Sequence, residues 1–129
     1  MSHLNSHLLI VAHGSRRQAS NDEVRALGEA VRASINATQN VAIAQVEVAF
    51  LELAEPGIPE GLARCAEQGA EEIIVFPYFL AAGTHVANDI PQALATFSES
   101  NPNITLRLTN HLGASPSLAN TILAMTQTQ

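Results

Sequence analysis

Five consecutive apolar residues, Leu8, Leu9, Ile10, Val11 and Ala12, break off at His13-Gly14-Ser15. So short and uniform a run predicts a strand buried on both faces. The period then changes. From about Ser20 to Ile35 the apolar positions Val24, Leu27, Val31 and Ile35 recur at steps of three and four, with Glu23, Arg25, Glu29 and Arg32 between them. This predicts an amphipathic helix, with Ser20 or Asn21 capping its first amides. Alternation through Val46, Val48 and Phe50 marks a second strand within 41–51, ending near Glu52. Pro56 and Pro59 suit the opening of a second helix, whose stripe of Ile58, Leu62 and Cys65 stops near Gly69. A third strand over 73–79 leads into a loop through Gly83, Thr84 and His85. A helical stretch with Leu94 and Phe97 follows, with a break expected at Pro91. Ile104, Leu106 and Leu108 alternate as a fourth strand, and 116–125 closes the chain as a helix.

Strands that alternate with helices over short connections imply βαβ crossovers and a parallel sheet covered on both faces. The fold class is therefore α/β: one domain over 1–129, a doubly wound four-stranded parallel sheet with expected order 2-1-3-4. Residues 1–7 read as a polar, disordered start. That start lacks the basic stretch of a signal peptide. The apolar run after it falls far short of the roughly 20 residues needed to span a bilayer, so the chain is expected to be cytoplasmic and off the membrane.

Charge and cysteine narrow the function classes. The formal charge is −6, and six arginines with no lysine carry all the positive charge. A nucleic-acid binder would display a basic patch, so nucleic acid is not an expected partner. The local positive cluster is Arg16-Arg17, directly after His13. A single cysteine, Cys65, excludes an internal disulfide and a cysteine-rich metal site, and its apolar neighbours predict a buried residue of the second helix.

In open α/β sheets ligands bind beyond the carboxyl ends of the strands, where the strand order reverses. His13, Glu52 and His85 follow strands one, two and three and so fall on that rim. Gly14 and Gly83 beside them allow close backbone approach. Imidazole and carboxylate groups suit a borderline divalent ion such as Co, Ni, Fe or Zn. The four closing ligands of a structural zinc site are missing, so the rim is better suited to holding a metal briefly. His111 falls past strand four at the same rim. Asp89, four residues after His85, could orient that imidazole or serve only as a helix-start acid. His3 and His7 lie in the polar start. Neither a Gly-x-x-x-x-Gly-Lys loop nor a Gly-x-Gly-x-x-Gly fingerprint occurs, so no nucleotide or other organic cofactor is expected.

The segments 9–16 (LIVAHGSR), 49–52 (AFLE) and 77–85 (PYFLAAGTH) with Asp89-Ile90-Pro91 closely resemble the class II chelatases, and the similarity runs from about Leu8 to Leu123, including His111-Leu112-Gly113. The resemblance implies a single α/β half, a homodimer, and insertion of a divalent ion into sirohydrochlorin, with Co²⁺ first and Fe²⁺ or Ni²⁺ as alternatives. By motif, His13 and His85 match the metal-handling histidines and Glu52 an acid of the same cleft. Gly14, Ser15, Arg16, Arg17, Gly83 and Thr84 are then expected to meet the macrocycle. The two arginines offset repulsion between an acidic protein and a substrate with eight carboxylates. Two rivals remain. A phosphate-transfer enzyme with His13 as nucleophile would resemble enzymes that place arginine before that histidine, where Ala12 stands. A non-catalytic tetrapyrrole or metal carrier could use the same residues without turnover.

Overall fold

The computed structural model describes residues 5–37 and 41–127, without the side chain of His85. Four strands, β1 (Ser6–Ala12), β2 (Gln45–Phe50), β3 (Glu72–Pro77) and β4 (Thr105–Leu108), form one sheet in the order β2-β1-β3-β4. All three pairings are parallel, as the alternating pattern requires. β1 lies between two neighbours, which is why its sequence is apolar from Leu8 onward: Leu9, Ile10, Val11 and Ala12 are all buried.

One face of the sheet carries the core. Leu9, Val11, Ala49, Ile73 and Val75 pack there against Ile58, Leu62 and Cys65 of α2 (Ile58–Glu67) and Ile90 and Leu94 of α3 (Ile90–Ser100). Burial, seconded by the charge of Glu47, pushes the Cys65 thiol up to about 12, so it is the inert core residue its neighbours predicted. The opposite face is covered less completely. α1 (Gln18–Ala37) lies on β2, with Gly28 admitting the helix so close that a Cβ would stand 2.7 Å from Val48 Cγ2. Its apolar stripe of Val24, Leu27, Val31 and Ile35 is only half-buried. α4 (Leu118–Thr126) buries none of its residues.

Several boundaries differ from the pattern-based reading. β1 begins at Ser6, so the polar start is shorter than 1–7. His7 is 1% exposed inside the strand and paired in register with Gln45 and Ile73. Ser6 Oγ donates to Glu72 Oε1 at 2.7 Å, and that partner lets a polar residue join the sheet. His3 lies outside the described residues. α1 begins at Gln18, before either suggested cap: Ser20 N donates to Arg17 O at 3.0 Å, which makes Ser20 and Asn21 helical. Pro91 does not break α3. It occupies the first turn, where a missing N–H costs nothing, and a π-helical turn over His85–Asp89 leads into it. No helix among the described residues is long and apolar enough to cross a membrane.

Candidate metal-handling site

β1 and β2 end side by side, and their continuations stay bonded: Leu51 N donates to Ala12 O at 2.9 Å and Glu52 N to His13 O at 3.1 Å. The parallel ladder is thus extended by two residues into the rim. Gly14 makes this possible. It has φ +97°, and a Cβ there would stand 1.7 Å from the carbonyl oxygen of Glu52. Only a residue without a side chain lets the two backbones approach so closely. Leu53, at φ 68°, turns the other chain away just beyond the contact.

The result is a histidine facing a carboxylate, with His13 Nε2 3.2 Å from Glu52 Oε2 and both side chains about half exposed. His13 Nδ1 stands 2.9 Å from Gly14 O. When Nδ1 carries the proton and donates to that carbonyl, the neutral ring presents its Nε2 lone pair to the carboxylate. Two lone-pair donors aimed together are stabilised by a cation, either a proton on the ring or a metal ion bound by both. Ligands about 2.0–2.2 Å from one divalent ion stand roughly 2.8–3.1 Å apart in octahedral and roughly 3.3–3.6 Å apart in tetrahedral geometry, and the observed 3.2 Å lies between the two ranges.

The following loop is held by a residue the sequence reading placed elsewhere. Asn21, 4% exposed, accepts from Ser15 N through Oδ1 at 2.9 Å and donates from Nδ2 to Ser15 O at 2.8 Å. It clamps both backbone groups of Ser15 rather than capping α1. The signal was present in the sequence: Asn21 precedes Val24 by three residues, a polar side chain on the stripe that faces the protein. Ser15 Oγ accepts from Arg17 N at 3.0 Å, tightening the turn into α1 and leaving Arg16 and Arg17 exposed at its positive end.

The third strand supplies the other side of the rim. Gly83 and Thr84 are exposed, and the backbone of His85 opens the π-helical turn that ends at Asp89. The His85 side chain lies outside what the structure describes, so its distance to His13 does not enter the geometry. Gly83 and Gly14 differ sharply: no atom lies within 4 Å of a Cβ built at Gly83. Asp89 shares a hollow of about 400 Å³ with Glu52 and Glu60, which joins it to the β2 side of the site. His111 stands half-buried just before a 3₁₀ turn at Leu112–Ala114, past β4. No group of three or more histidine, cysteine or carboxylate side chains fit to hold a metal ion occurs among the described residues.

Known proteins match this arrangement along nearly its whole length. The CbiX family model matches residues 7–129. A sirohydrochlorin cobaltochelatase of Methanocaldococcus jannaschii is 37% identical over 93 residues, covering 72% of this chain and 61% of its own. A sirohydrochlorin ferrochelatase of Bacillus subtilis is 32% identical over 106 residues, covering 82% of this chain and 38% of its own. Among solved structures, the cobalt complex of the sirohydrochlorin chelatase SirB from Bacillus subtilis subspecies spizizenii superimposes with a TM-score of 0.82 at 29% identity, over 96% of this chain and 50% of that one. A CbiX protein of Marinobacter aquaeolei VT8 has nearly the same length, with a TM-score of 0.75 at 28% identity and coverage of 95% and 94%. The chain therefore spans between 38% and 61% of these two curated relatives.

Proposed function

Since the chain belongs to the CbiX family, we propose that it inserts a divalent metal ion, Co²⁺ foremost, into sirohydrochlorin. The observation that carries this reading is the His13 Nε2 to Glu52 Oε2 distance of 3.2 Å, on backbones locked together at the carboxyl end of the sheet. Two ligands on one wall hold an ion while leaving most of its coordination sphere open. An ion that must be handed on needs this, and a structural ion does not. His85, whose backbone opens the turn that follows β3, is the second imidazole of this reading.

Insertion exchanges one M²⁺ for two pyrrole protons, so the site must release the ion and take up protons in the same place. Imidazole does both near neutral pH. Once the ion leaves, His13 Nε2, 3.2 Å from the Glu52 carboxylate, is the group this reading assigns to take up a pyrrole proton. Arg16 and Arg17, exposed at the start of α1, attract the macrocycle's carboxylates. Asp89 and Glu60, in the hollow beside Glu52, supply negative potential toward an arriving cation. The ion is a substrate here, and the reaction uses no organic cofactor.

The reading takes a homodimer as the active unit, acting on the macrocycle in the cytoplasm, as the resemblance to single-half chelatases implies. Fe²⁺ is the second metal of this reading, because relatives named for cobalt and for iron both align with the chain. Nickel insertion is a further arm of the same assay.

The test is anaerobic: purified chain, sirohydrochlorin, and Co²⁺, Fe²⁺ or Ni²⁺ in separate reactions, followed by the macrocycle's absorption against protein-free controls. Spectral conversion accelerated by the chain, lost in a His13→Ala, His85→Ala variant and strongly reduced in Glu52→Gln, is the expected result. Macrocycle binding with no acceleration by any metal would replace this reading with that of a carrier.

A further inference from the structure

α1 carries a second stripe beside its apolar one. Asn21, Arg25, Gly28 and Arg32 recur at steps of four, three and four, so they share one face of the helix. Each of them meets β2 or a loop that bears a proposed ligand. Asn21 holds both backbone groups of Ser15, two residues after His13. Gly28 lets the helix approach Val48, and Arg32 Nη2 donates to Val46 O, at the end of β2 away from the rim. Arg25 reaches the chain that follows Glu52, where its Nη2 donates to Glu55 O at 2.9 Å.

That chain makes a short excursion. Leu53 turns it at φ 68°, and Phe50 N donates to Pro56 O at 2.9 Å, closing the loop onto the strand it left. Its inner leg is bonded to β1 through Glu52 N and His13 O, and the bond from Arg25 ties its outer leg to α1. Two further contacts aim the guanidinium. Arg25 Nη1 donates to Asp22 Oδ1 at 2.9 Å, and the guanidinium carbon stands 5.1 Å from the centroid of the buried Phe50 ring. An exposed ion pair of this kind adds little stability by itself. Together with the ring it holds a planar fork in one orientation, with Nη2 on the carbonyl.

We propose that Arg25 is a positioning residue for Glu52. One turn apart on α1, Asn21 holds the loop of one ligand and Arg25 holds the loop of the other, so a single helix face sets how His13 and Glu52 stand to each other. The inference rests on the metal-handling reading of that pair. Arg25 is not itself a ligand and acts through Glu55 and Phe50. Without its bond the outer leg of the loop gains freedom, and the half-exposed Glu52 carboxylate is held opposite His13 from the inner leg alone. The sign of the effect is distinctive. Removing a positive charge near a cation site favours the cation by Coulomb's law, whereas releasing Glu52 disfavours it.

The Co²⁺ affinity of the full chain, measured by titration calorimetry without macrocycle, tests this at the site that His13→Ala abolishes. Arg25→Ala should weaken that site about 10-fold, the lower end of what losing an outer contact costs a metal site. Arg32→Ala is the matched control: it also removes an α1 arginine from a backbone carbonyl, but at the other end of β2, and should stay within about 2-fold of wild type. In a Glu52→Gln background, Arg25→Ala should shift affinity by less than about 2-fold, because the ligand it positions is already lost. Arg25→Lys keeps the charge and the stem but not the fork, so it should weaken the site too, and it carries the test if circular dichroism shows the alanine variant unfolded. Affinity unchanged or tightened in the Arg25 variants, weakened equally in the Glu52→Gln background, or weakened as much by Arg32→Ala would overturn the positioning role and leave the pair standing. A wild-type chain that binds no Co²⁺ at His13, or a Glu52→Gln chain that binds it as wild type does, would remove the pair and the role of Arg25 with it.

Discussion

Replacing Gly14 with alanine tests whether the histidine and the carboxylate are held by their backbones or merely meet by chance. At φ +97° an alanine costs about 1–3 kcal/mol in backbone strain. Its Cβ would stand 1.7 Å from the carbonyl oxygen of Glu52, a separation no rotamer can relieve because both atoms belong to the main chain. The two segments must part, giving up the His13 O to Glu52 N bond of 3.1 Å, which contributes about 1 kcal/mol. The sum is roughly 2–4 kcal/mol, and at about 4 °C per kcal/mol for a chain of this size Tm should fall by about 8–16 °C. Misplacing a reacting group by about 1 Å costs on the order of 100-fold in rate, so metal insertion should drop by about that factor at temperatures where the variant is still folded. Thermal and urea unfolding followed by circular dichroism measure the first effect, and anaerobic turnover the second. Gly83→Ala is the matched control. With no atom within 4 Å of the new methyl and no positive φ, it should leave stability unchanged or raise it by less than about 1 kcal/mol. A Gly14→Ala chain that melts within 2 °C of wild type, within the error expected of such a comparison, and turns over normally would refute the account.

Asn21→Ala removes both bonds to the backbone of Ser15 and leaves part-buried amide and carbonyl groups unpaired, so it should cost about 1–3 kcal/mol by urea unfolding. Asn21→Asp keeps the acceptor and should fall between that variant and wild type. His7 gives the fold a pH dependence of definite sign. Burial lowers its pKa below the ordinary 6.5, against an opposing pull from Glu47, so the unfolded chain takes up the proton first as pH falls. Its contribution to stability is complete above pH 6.5 and declines as pH drops from there toward the lowered folded value. Urea midpoints collected across that window should fall with acidity in wild type and stay flatter in a His7→Asn variant; equal slopes in the two chains would contradict this origin.

Element types and sheet order were legible because the apolar period switches cleanly between two and 3.6 along the chain, and the uninterrupted run 8–12 could only be a central strand. The pairing of His13 with Glu52 was legible as a shared rim, since both follow strands that the order makes neighbours. Its tightness was not, because it depends on Gly14 meeting the backbone of Glu52, a contact 38 positions away in sequence that no local pattern encodes. His7 was misplaced because a histidine among polar residues looks solvated. What buries it is pairing with β2 and β3 on both sides, a tertiary effect that overrides local polarity. Asn21 was read as a cap from residue type alone, and the same hydrogen-bonding capacity serves a loop instead. The amphipathic stripe of α1 was read correctly as apolar, but period alone does not reveal that its own sheet covers only half of it.

The two sides of the rim differ in stiffness. On the β1 and β2 side, the continuing ladder and the Asn21 clamp fix the histidine and carboxylate when the chain folds, so the entropy of assembling those two ligands is spent before any ion arrives. On the β3 side, Gly83 and Thr84 are exposed, and a methyl group at Gly83 would meet open space. Ions of different radius would therefore be accommodated by adjustment of that side alone. On the proposed reading, tolerance for several metals is a property of one loop, and selectivity among them is open to change there without disturbing the wall of His13 and Glu52.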